Sequence, residues 1–226
     1  MFFPIHDHNP IRHIIRPWVT WALIAVNVAI FLVQSSTPGN AQATLLLSFG
    51  MVPAVIGDAV IDPFPGLPSW ATLVTYAFLH GDIWHLATNM LFLFVFGDNV
   101  EDAMGHAKFL AFYLLCAVFA AIAHLFVNFD SADPLIGASG AISGIIGAYV
   151  VLYPQVRVYM LLKIVVPLPI PIPALWAIGA WMLLQLFYAF APDSQGVAWW
   201  AHVGGFAAGA LLVALFKRGD IRLFGR

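Results

Sequence analysis

Six apolar stretches, separated by polar or proline-containing breaks, dominate this sequence. They cover residues 18–34, 83–96, 109–127, 139–152, 174–190 and 197–216. Of the 226 residues, 62% are hydrophobic and only 9% are charged, which is typical of an integral membrane protein and not of a soluble domain. Some stretches are shorter than the ~20 residues that cross a bilayer, but stop signals such as Gly-Asp-Asn at 97–99 and Pro154 separate them. We therefore predict six transmembrane helices.

The basic residues allow this helix count to be tested. With six spans and both termini in the cytoplasm, the inner segments are 1–17, 97–108, 153–173 and 217–226, and they contain all nine Lys and Arg residues. Because basic residues concentrate in cytoplasmic loops, this partition supports both the count and the orientation. We predict an all-α membrane protein with a cytoplasmic N-terminal segment (1–17), a six-helix membrane domain (18–216) and a basic cytoplasmic tail (217–226).

Charge and cysteine content argue against several function classes. The formal net charge of −2 and the dispersed basic residues offer no nucleic-acid-binding patch. The single Cys116 lies within an apolar stretch, so neither a disulfide framework nor a cysteine metal site is expected. We expect no cofactor, no metal and no nucleic acid, and the lipid bilayer as a partner.

Two segments are not simple connectors. The outer loop at 35–82 is long and semi-apolar, and we expect it to lie on the outer leaflet or dip into it. The inner segment at 156–173 carries four closely spaced prolines, which forbid a regular helix at its end. We interpret it as a re-entrant or interfacial connector or, more simply, as a spacer.

Few amide or ionisable side chains lie within the predicted spans, where each is costly unless it faces a partner or water. The second span opens with HGDIWHLATNM, which contains His80, His85 and Asn89. His85 and Asn89 are four residues apart and so share one helical face. The fourth span begins at Ser139, and the sixth carries His202. Under the predicted topology these side chains lie near the outer starts of their helices and can meet at one depth.

The fourth span is short for a bilayer. Its fourteen residues, 139–152, extend about 21 Å as a helix, against a hydrocarbon core of ~30 Å. If its inner end reaches the cytoplasmic interface, Ser139 begins below the outer surface, where irregular backbone must line protein or water. We therefore expect an aqueous pocket that opens outward, with Ser139 at its floor.

Small residues repeat at a spacing of four on the fourth and sixth spans. They are Gly140, Ser143, Gly144 and Gly147 on the fourth span and Ala201, Gly205 and Gly209 on the sixth. Facing stripes of this kind let helix backbones approach closely. We expect this packing to bring Ser139 within hydrogen-bond reach of His202.

These residues predict acyl-transfer chemistry. A serine hydroxyl needs a neighbouring base to become a nucleophile, which makes His202 the natural partner of Ser139. No carboxylate occurs at a matching depth, so we predict a dyad without an acid, with His202 oriented by packing or by Ser143. The backbone N–H of Ser139, at a helix N-terminus, and the side chains of His85 and Asn89 are the expected oxyanion donors.

Four motifs resemble those of the rhomboid intramembrane serine proteases, and the resemblance runs along nearly the whole chain. HGDIWHLATNM (80–90) is similar to that family's His and Asn signature, and FGDNVED (96–102) to the segment after it. GASGAISG (137–144) is similar to its Gly-x-Ser-Gly motif, and AHVGGFAAG (201–209) to its last-helix His motif. The resemblance implies a six-helix bundle whose short fourth helix starts at the catalytic serine.

The resemblance also implies the roles of individual residues. Ser139 would be the nucleophile and His202 the base, and His85 and Asn89 would stabilise the oxyanion. Membrane-anchored protein substrates would enter laterally and be cut near the outer face, beneath a movable cap at residues 191–196. We expect the remaining polar and small motif residues to support this site. They are Gly137, Gly140, Ser143 and His80.

Two departures from the family pattern and two alternative functions accompany this interpretation. Trp70 has no arginine beside it, and Ser143 stands where some members carry an aromatic residue.

A catalytically inactive relative that binds transmembrane helices is one alternative function. A transporter or channel is another, although the inner halves of spans four and six, IIGAYVVL and AAGALLVALF, offer no polar path. The short N-terminal segment and compact layout favour the bacterial plasma membrane.

Overall fold

The chain is mostly helical. The computed structural model describes residues 2–57, 67–163, 167–191 and 196–225. The helices, in chain order, are α1 (Trp18–Ser36), α2 (Gly39–Phe49), α3 (Pro53–Ile56), α4 (Thr72–Thr75), α5 (Ile83–Met104), α6 (His106–Val127), α7 (Ser139–Leu152), α8 (Ala174–Phe190) and α9 (Trp199–Phe216). Short 3-10 turns at Ser69–Ala71 and Tyr76–Phe78 flank α4.

A helix coincides with each of the six apolar stretches. Three of them, α1, α6 and α9, are long and apolar enough to cross a membrane, and α7 and α8 are shorter apolar helices. The expected bounds of the fourth stretch are confirmed, because α7 runs from Ser139 to Leu152. The number of membrane spans and the side on which the termini lie stay predictions.

The break expected at 97–99 is wrong, because α5 continues through it to Met104. Nearby carboxylates of this helix find partners without interrupting it. Glu101, fully buried, accepts backbone N–H groups at the start of α1 at 2.8 and 2.9 Å. Asp102 accepts the backbone N–H groups of residues 12–14 at 2.6 to 3.0 Å. The polar segment therefore anchors the N-terminal part of the chain instead of forming a loop.

A small antiparallel sheet shows that the all-α expectation is wrong. Its strands are β1 (Phe2–Asp7), β2 (Arg157–Lys163) and β3 (Pro167–Pro173), in the order β1-β2-β3. The segment that we interpreted as a spacer thus forms two strands of this sheet. Proline lacks an N–H and is tolerated on an edge strand, where alternate residues face away from the partner. The alternation of proline with apolar residues in PLPIPIP fits that edge position.

The described part of the 35–82 loop forms α2, α3, α4 and the 3-10 turns, while 58–66 lie outside the described residues. It is tied to the segment that precedes α7 by an isolated bridge between Met51 and Leu135, with hydrogen bonds of 2.8 and 3.1 Å. This bridge helps to fix the approach to Ser139. Contact with the outer leaflet stays a prediction.

The segments predicted to be cytoplasmic meet at one end of the helices. Strand β1, from the N-terminal segment, pairs with β2. The C-terminal segment joins them, because Arg218 N–H donates to the carbonyl of Ala103 at 2.8 Å and Phe224 N–H to that of Val151 at 2.7 Å. All four basic segments therefore share one side of the molecule.

Close packing of small residues on α7 and α9 is confirmed. A Cβ atom added to Gly209 would lie 1.8 Å from the carbonyl oxygen of Gly144, and one added to Gly205 would lie 2.0 Å from that of Gly140. These distances leave no room for any side chain. The two helix backbones are in direct contact, and α7 is surrounded by α5, α6 and α9.

Candidate active site

Ser139 begins α7 directly after a turn that requires glycine. Gly137 has a φ of +114°, a conformation that L side chains rarely adopt. Its N–H donates to the carbonyl of Tyr76 at 3.0 Å, and a Cβ there would lie 2.6 Å from Nε2 of His85. The turn therefore frees the first N–H groups of α7 and leaves room for the His85 ring beside them.

Ser139 and His202 are in hydrogen-bond contact. The distance from Oγ of Ser139 to Nε2 of His202 is 2.8 Å. Gly140, the residue after Ser139, contacts Gly205, about one turn after His202, and this contact brings α7 and α9 together at this level. A neutral imidazole with its lone pair on Nε2 can accept the serine proton.

Two residues that the sequence analysis missed hold the other side of the His202 ring. Oε1 of Gln185, on α8, lies 2.7 Å from Nδ1 of His202. The Trp181 ring stacks on the imidazole at 6.3 Å between centroids and 29° between planes. Ser143 does not orient His202, because its hydroxyl donates to the carbonyl of Ser139 at 2.7 Å. A lone amide in an otherwise apolar helix was the signal that could have identified Gln185.

His85 and Asn89 lie on the same face of α5 and supply side-chain donors. Gly81 N–H points at Nδ1 of His85 at 3.4 Å, which favours the tautomer with its proton on Nε2, beside Gly137. Nδ2 of Asn89 is buried and has no hydrogen-bond partner among the residues that the structure describes. A buried amide donor without a partner is costly, so Asn89 is suited to receive an acceptor from a substrate.

Asp82 fixes the start of α5 and with it the position of His85. Its carboxylate accepts the backbone N–H groups of Trp84 at 2.7 Å and of His85 at 2.9 Å. These hydrogen bonds hold the pKa of Asp82 below its usual range, and the bond from the His85 N–H has the largest effect. The side chain is an N-cap of α5.

His80 packs against the ring of His85. Its side chain is fully buried, and its ring meets that of His85 edge-on with centroids 5.2 Å apart. Neither ring nitrogen has a hydrogen-bond partner in the described part of the chain. His80 thus packs its ring against His85, and its supporting role in the site stays a prediction.

A cavity of about 830 Å³ connects these groups. Side chains from α5, α7, α8 and α9 line it, including His85, Asn89, Ser139, Gln185 and His202. A serine hydroxyl in contact with an imidazole therefore faces the same space as two side-chain donors and a helix N-terminus. This arrangement can support attack on a carbonyl and stabilise the resulting oxyanion. The expected cap at 191–196 lies largely outside the described residues, since 192–195 are not among them.

Comparison with known proteins gives a family match. A family model described as a Rhomboid domain matches residues 68–219. Rhomboid protease AarA of Providencia stuartii is 29% identical over 214 residues, which are 86% of this chain and 70% of that protein. RHOMBOID-like protein 12, mitochondrial, of Arabidopsis thaliana is 29% identical over 167 residues, or 67% of this chain and 48% of that protein.

A yeast relative is also similar to this chain. Rhomboid protein 1, mitochondrial, of Saccharomyces cerevisiae is 27% identical over 149 residues, or 62% of this chain and 40% of that protein. The chain thus spans less than half the length of each of the two mitochondrial relatives.

Proposed function

The chain belongs to the rhomboid family, and we propose that it is an intramembrane serine endopeptidase that cuts membrane-anchored proteins through a dyad of Ser139 and His202. The observation that carries this proposal is the 2.8 Å contact between Oγ of Ser139 and Nε2 of His202 at a shared cavity. The name of the bacterial relative AarA, a rhomboid protease, supports the same activity.

In the proposed reaction, His202 accepts the hydroxyl proton of Ser139 while Oγ attacks the carbonyl carbon of the scissile peptide. The oxyanion that forms accepts hydrogen bonds from the Ser139 N–H, from Nε2–H of His85 and from Nδ2–H of Asn89. His202 then gives its proton to the leaving amine as the C–N bond breaks, which leaves an ester on Ser139. Water, deprotonated by His202, hydrolyses that ester, and the proton returns to Oγ.

The protein is an integral membrane protein by its family and its apolar helices, and we propose that it spans the membrane six times with both termini in the cytoplasm. The meeting of all four basic segments at one end of the helices supports this orientation. Ser139 then lies toward the outer face. The domain limits 1–17, 18–216 and 217–226 are part of the same proposal.

We place the protein in the bacterial plasma membrane, with its cavity opening outward. The alignment of 86% of the chain with a protein of Providencia stuartii supports this compartment. In a Cys116→Ala background, a membrane-impermeant maleimide on intact cells should label Asp130→Cys and spare Gly219→Cys. The reverse pattern would contradict the orientation.

Covalent labelling tests the dyad directly. The purified protein in detergent should react with a fluorophosphonate probe, because Ser139 Oγ can attack phosphorus and expel fluoride while His202 takes the proton. Ser139→Ala and His202→Ala should lose labelling while keeping wild-type thermal unfolding. Ser48→Ala is the matched control, since its hydroxyl donates within α2, to the carbonyl of Thr44.

Two outcomes of the labelling experiment would contradict the proposal. Labelling that persists in Ser139→Ala would mean that another residue reacts. A well-folded wild-type protein that does not react would favour the alternative of a binding protein that recognises transmembrane helices without cutting them. Cells that express wild type or Ser139→Ala can then be compared by proteomics to identify the membrane substrates.

A further inference from the structure

Gln185 is a polar residue of the cavity wall that the proposed reaction leaves without a role. It lies in α8, whose sequence ALWAIGAWMLLQLFYAF contains no other amide or ionisable side chain except the phenol of Tyr188. The Gln185 side chain is only 7% exposed. An amide in such a helix is costly unless it has a polar partner, and its partner is Nδ1 of His202, 2.7 Å from Oε1.

The orientation of this amide decides which nitrogen of His202 carries the proton. A carbonyl oxygen can only accept, so Oε1 requires a proton on Nδ1 and leaves the lone pair on Nε2. Nε2 is the nitrogen that faces Oγ of Ser139, at 2.8 Å. The opposite orientation would present the NH₂ group to Nδ1, move the imidazole proton to Nε2 and leave no acceptor for the serine proton.

Two tryptophan rings, one from α8 and one from α9, support this orientation of the ring. Trp181, one turn before Gln185 on α8, stacks on the imidazole, and Trp199 meets it edge-on with centroids 5.9 Å apart. The carboxylate of Asp82, on the same cavity wall, caps α5 instead. Gln185 therefore occupies the place that a carboxylate takes in a Ser-His-Asp triad.

We propose that Gln185 is a positioning residue that holds His202 in the tautomer needed to deprotonate Ser139. This inference rests on the proposed function. Under this proposal a neutral hydrogen-bond acceptor orients the base. The sequence analysis had predicted that packing or Ser143 would orient it. The same bond stabilises the imidazolium as it forms, because a donor that gains charge makes a stronger hydrogen bond.

Two variants of Gln185 separate positioning from packing when labelled with a fluorophosphonate probe. Gln185→Leu fills a similar volume but removes the acceptor. The rate constant kinact should fall roughly 10- to 150-fold, because one hydrogen bond to a charged group is lost, and KI should stay unchanged. Gln185→Glu restores an acceptor, so kinact should recover above neutral pH. Its acid limb should move about one unit or more to higher pH, because a carboxylate stabilises the imidazolium. Titratable groups that line the same cavity are common to all variants, namely His85, His124, Asp82 and Asp133.

Leu183→Ala is the control on the same helix, because Leu183 is 68% exposed and does not line the cavity. It should keep the wild-type kinact and pH profile, and all variants should unfold at comparable temperatures. Wild-type kinetics in Gln185→Leu, or an equal loss in Leu183→Ala, would overturn the assignment of Gln185. A wild-type protein whose labelling does not need Ser139 would instead overturn the proposed function.

Discussion

Replacing Asp7 by Asn should make the protein more stable at alkaline pH and leave its stability almost unchanged at acid pH. Asp7 ends β1, is 7% exposed, and accepts a hydrogen bond from the hydroxyl of Tyr149 on α7 at 2.5 Å. Burial raises the pKa of Asp7 from 3.8 to about 7, and the nearby carboxylate of Asp98 acts in the same direction. The folded protein therefore favours the neutral acid, which an asparagine imitates in shape and charge.

The sign and size of the effect follow from this pKa. Because the folded state binds the Asp7 proton more tightly than the unfolded chain does, the free energy of unfolding falls as pH rises from about 4 to about 7. Each unit is worth about 1.4 kcal/mol, so the full shift corresponds to at most about 4 kcal/mol. Between pH 5 and pH 8 roughly two units apply, or about 3 kcal/mol. For a chain of this length that is roughly 6–12 °C in Tm.

Thermal unfolding in detergent, followed by intrinsic fluorescence at pH 5 and pH 8, measures this change. Histidine titrations contribute equally to both proteins, so the quantity of interest is the Tm of Asp7→Asn minus that of wild type. This difference should grow with pH. Asp130→Asn makes the same substitution at an exposed position and should show no such growth. A Tm difference for Asp7→Asn that is equal at both pH values would refute the reasoning.

Three further substitutions test the site and its frame. Asn89→Ala removes a buried donor and should slow fluorophosphonate labelling roughly 10²- to 10³-fold at an unchanged Tm; an unaffected rate would exclude Asn89 from the oxyanion site. Glu101→Gln should lower the free energy of unfolding by about 1.5–3 kcal/mol, since the fully buried carboxylate accepts hydrogen bonds from α1 and the amide keeps only one acceptor oxygen; a wild-type Tm would contradict this. Gly209→Ala should destabilise the protein by at least about 1–3 kcal/mol, because the added Cβ would collide with the Gly144 carbonyl. Gly219→Ala is its control and should unfold like wild type, because a Cβ added there has no neighbouring atom within 4 Å.

The helices around the site could be predicted because their signals are local. The bounds of α7 follow from an apolar run that starts at Ser139 and ends before Pro154, and the structure has them at Ser139 and Leu152. The contact of α7 with α9 follows from small residues at a spacing of four on both helices, because such residues let the two backbones approach closely.

The sheet and the full length of α5 could not be predicted because their causes are distant in sequence. Strand β1 pairs with β2 across more than 150 residues, and short strands carry little local signal of their partners. The polar residues at 97–99 predict a loop from local sequence alone. In the structure, N–H groups of the N-terminal part of the chain bind Glu101 and Asp102 a few residues later, and the helix continues. The local break signal is thus overridden by hydrogen bonds to a segment that is distant in sequence.

A neutral partner for His202 is consistent with a base that works inside an apolar helix bundle. A carboxylate at the position of Gln185 would be costly to bury, and it would favour the protonated imidazole, so that His202 would be available as a base only at higher pH. The Gln185 amide avoids both effects, because its oxygen directs the Nδ1 proton without adding charge. Its bond to His202 strengthens only when the imidazole takes the serine proton, so the stabilisation is greater in the transition state than in the resting site.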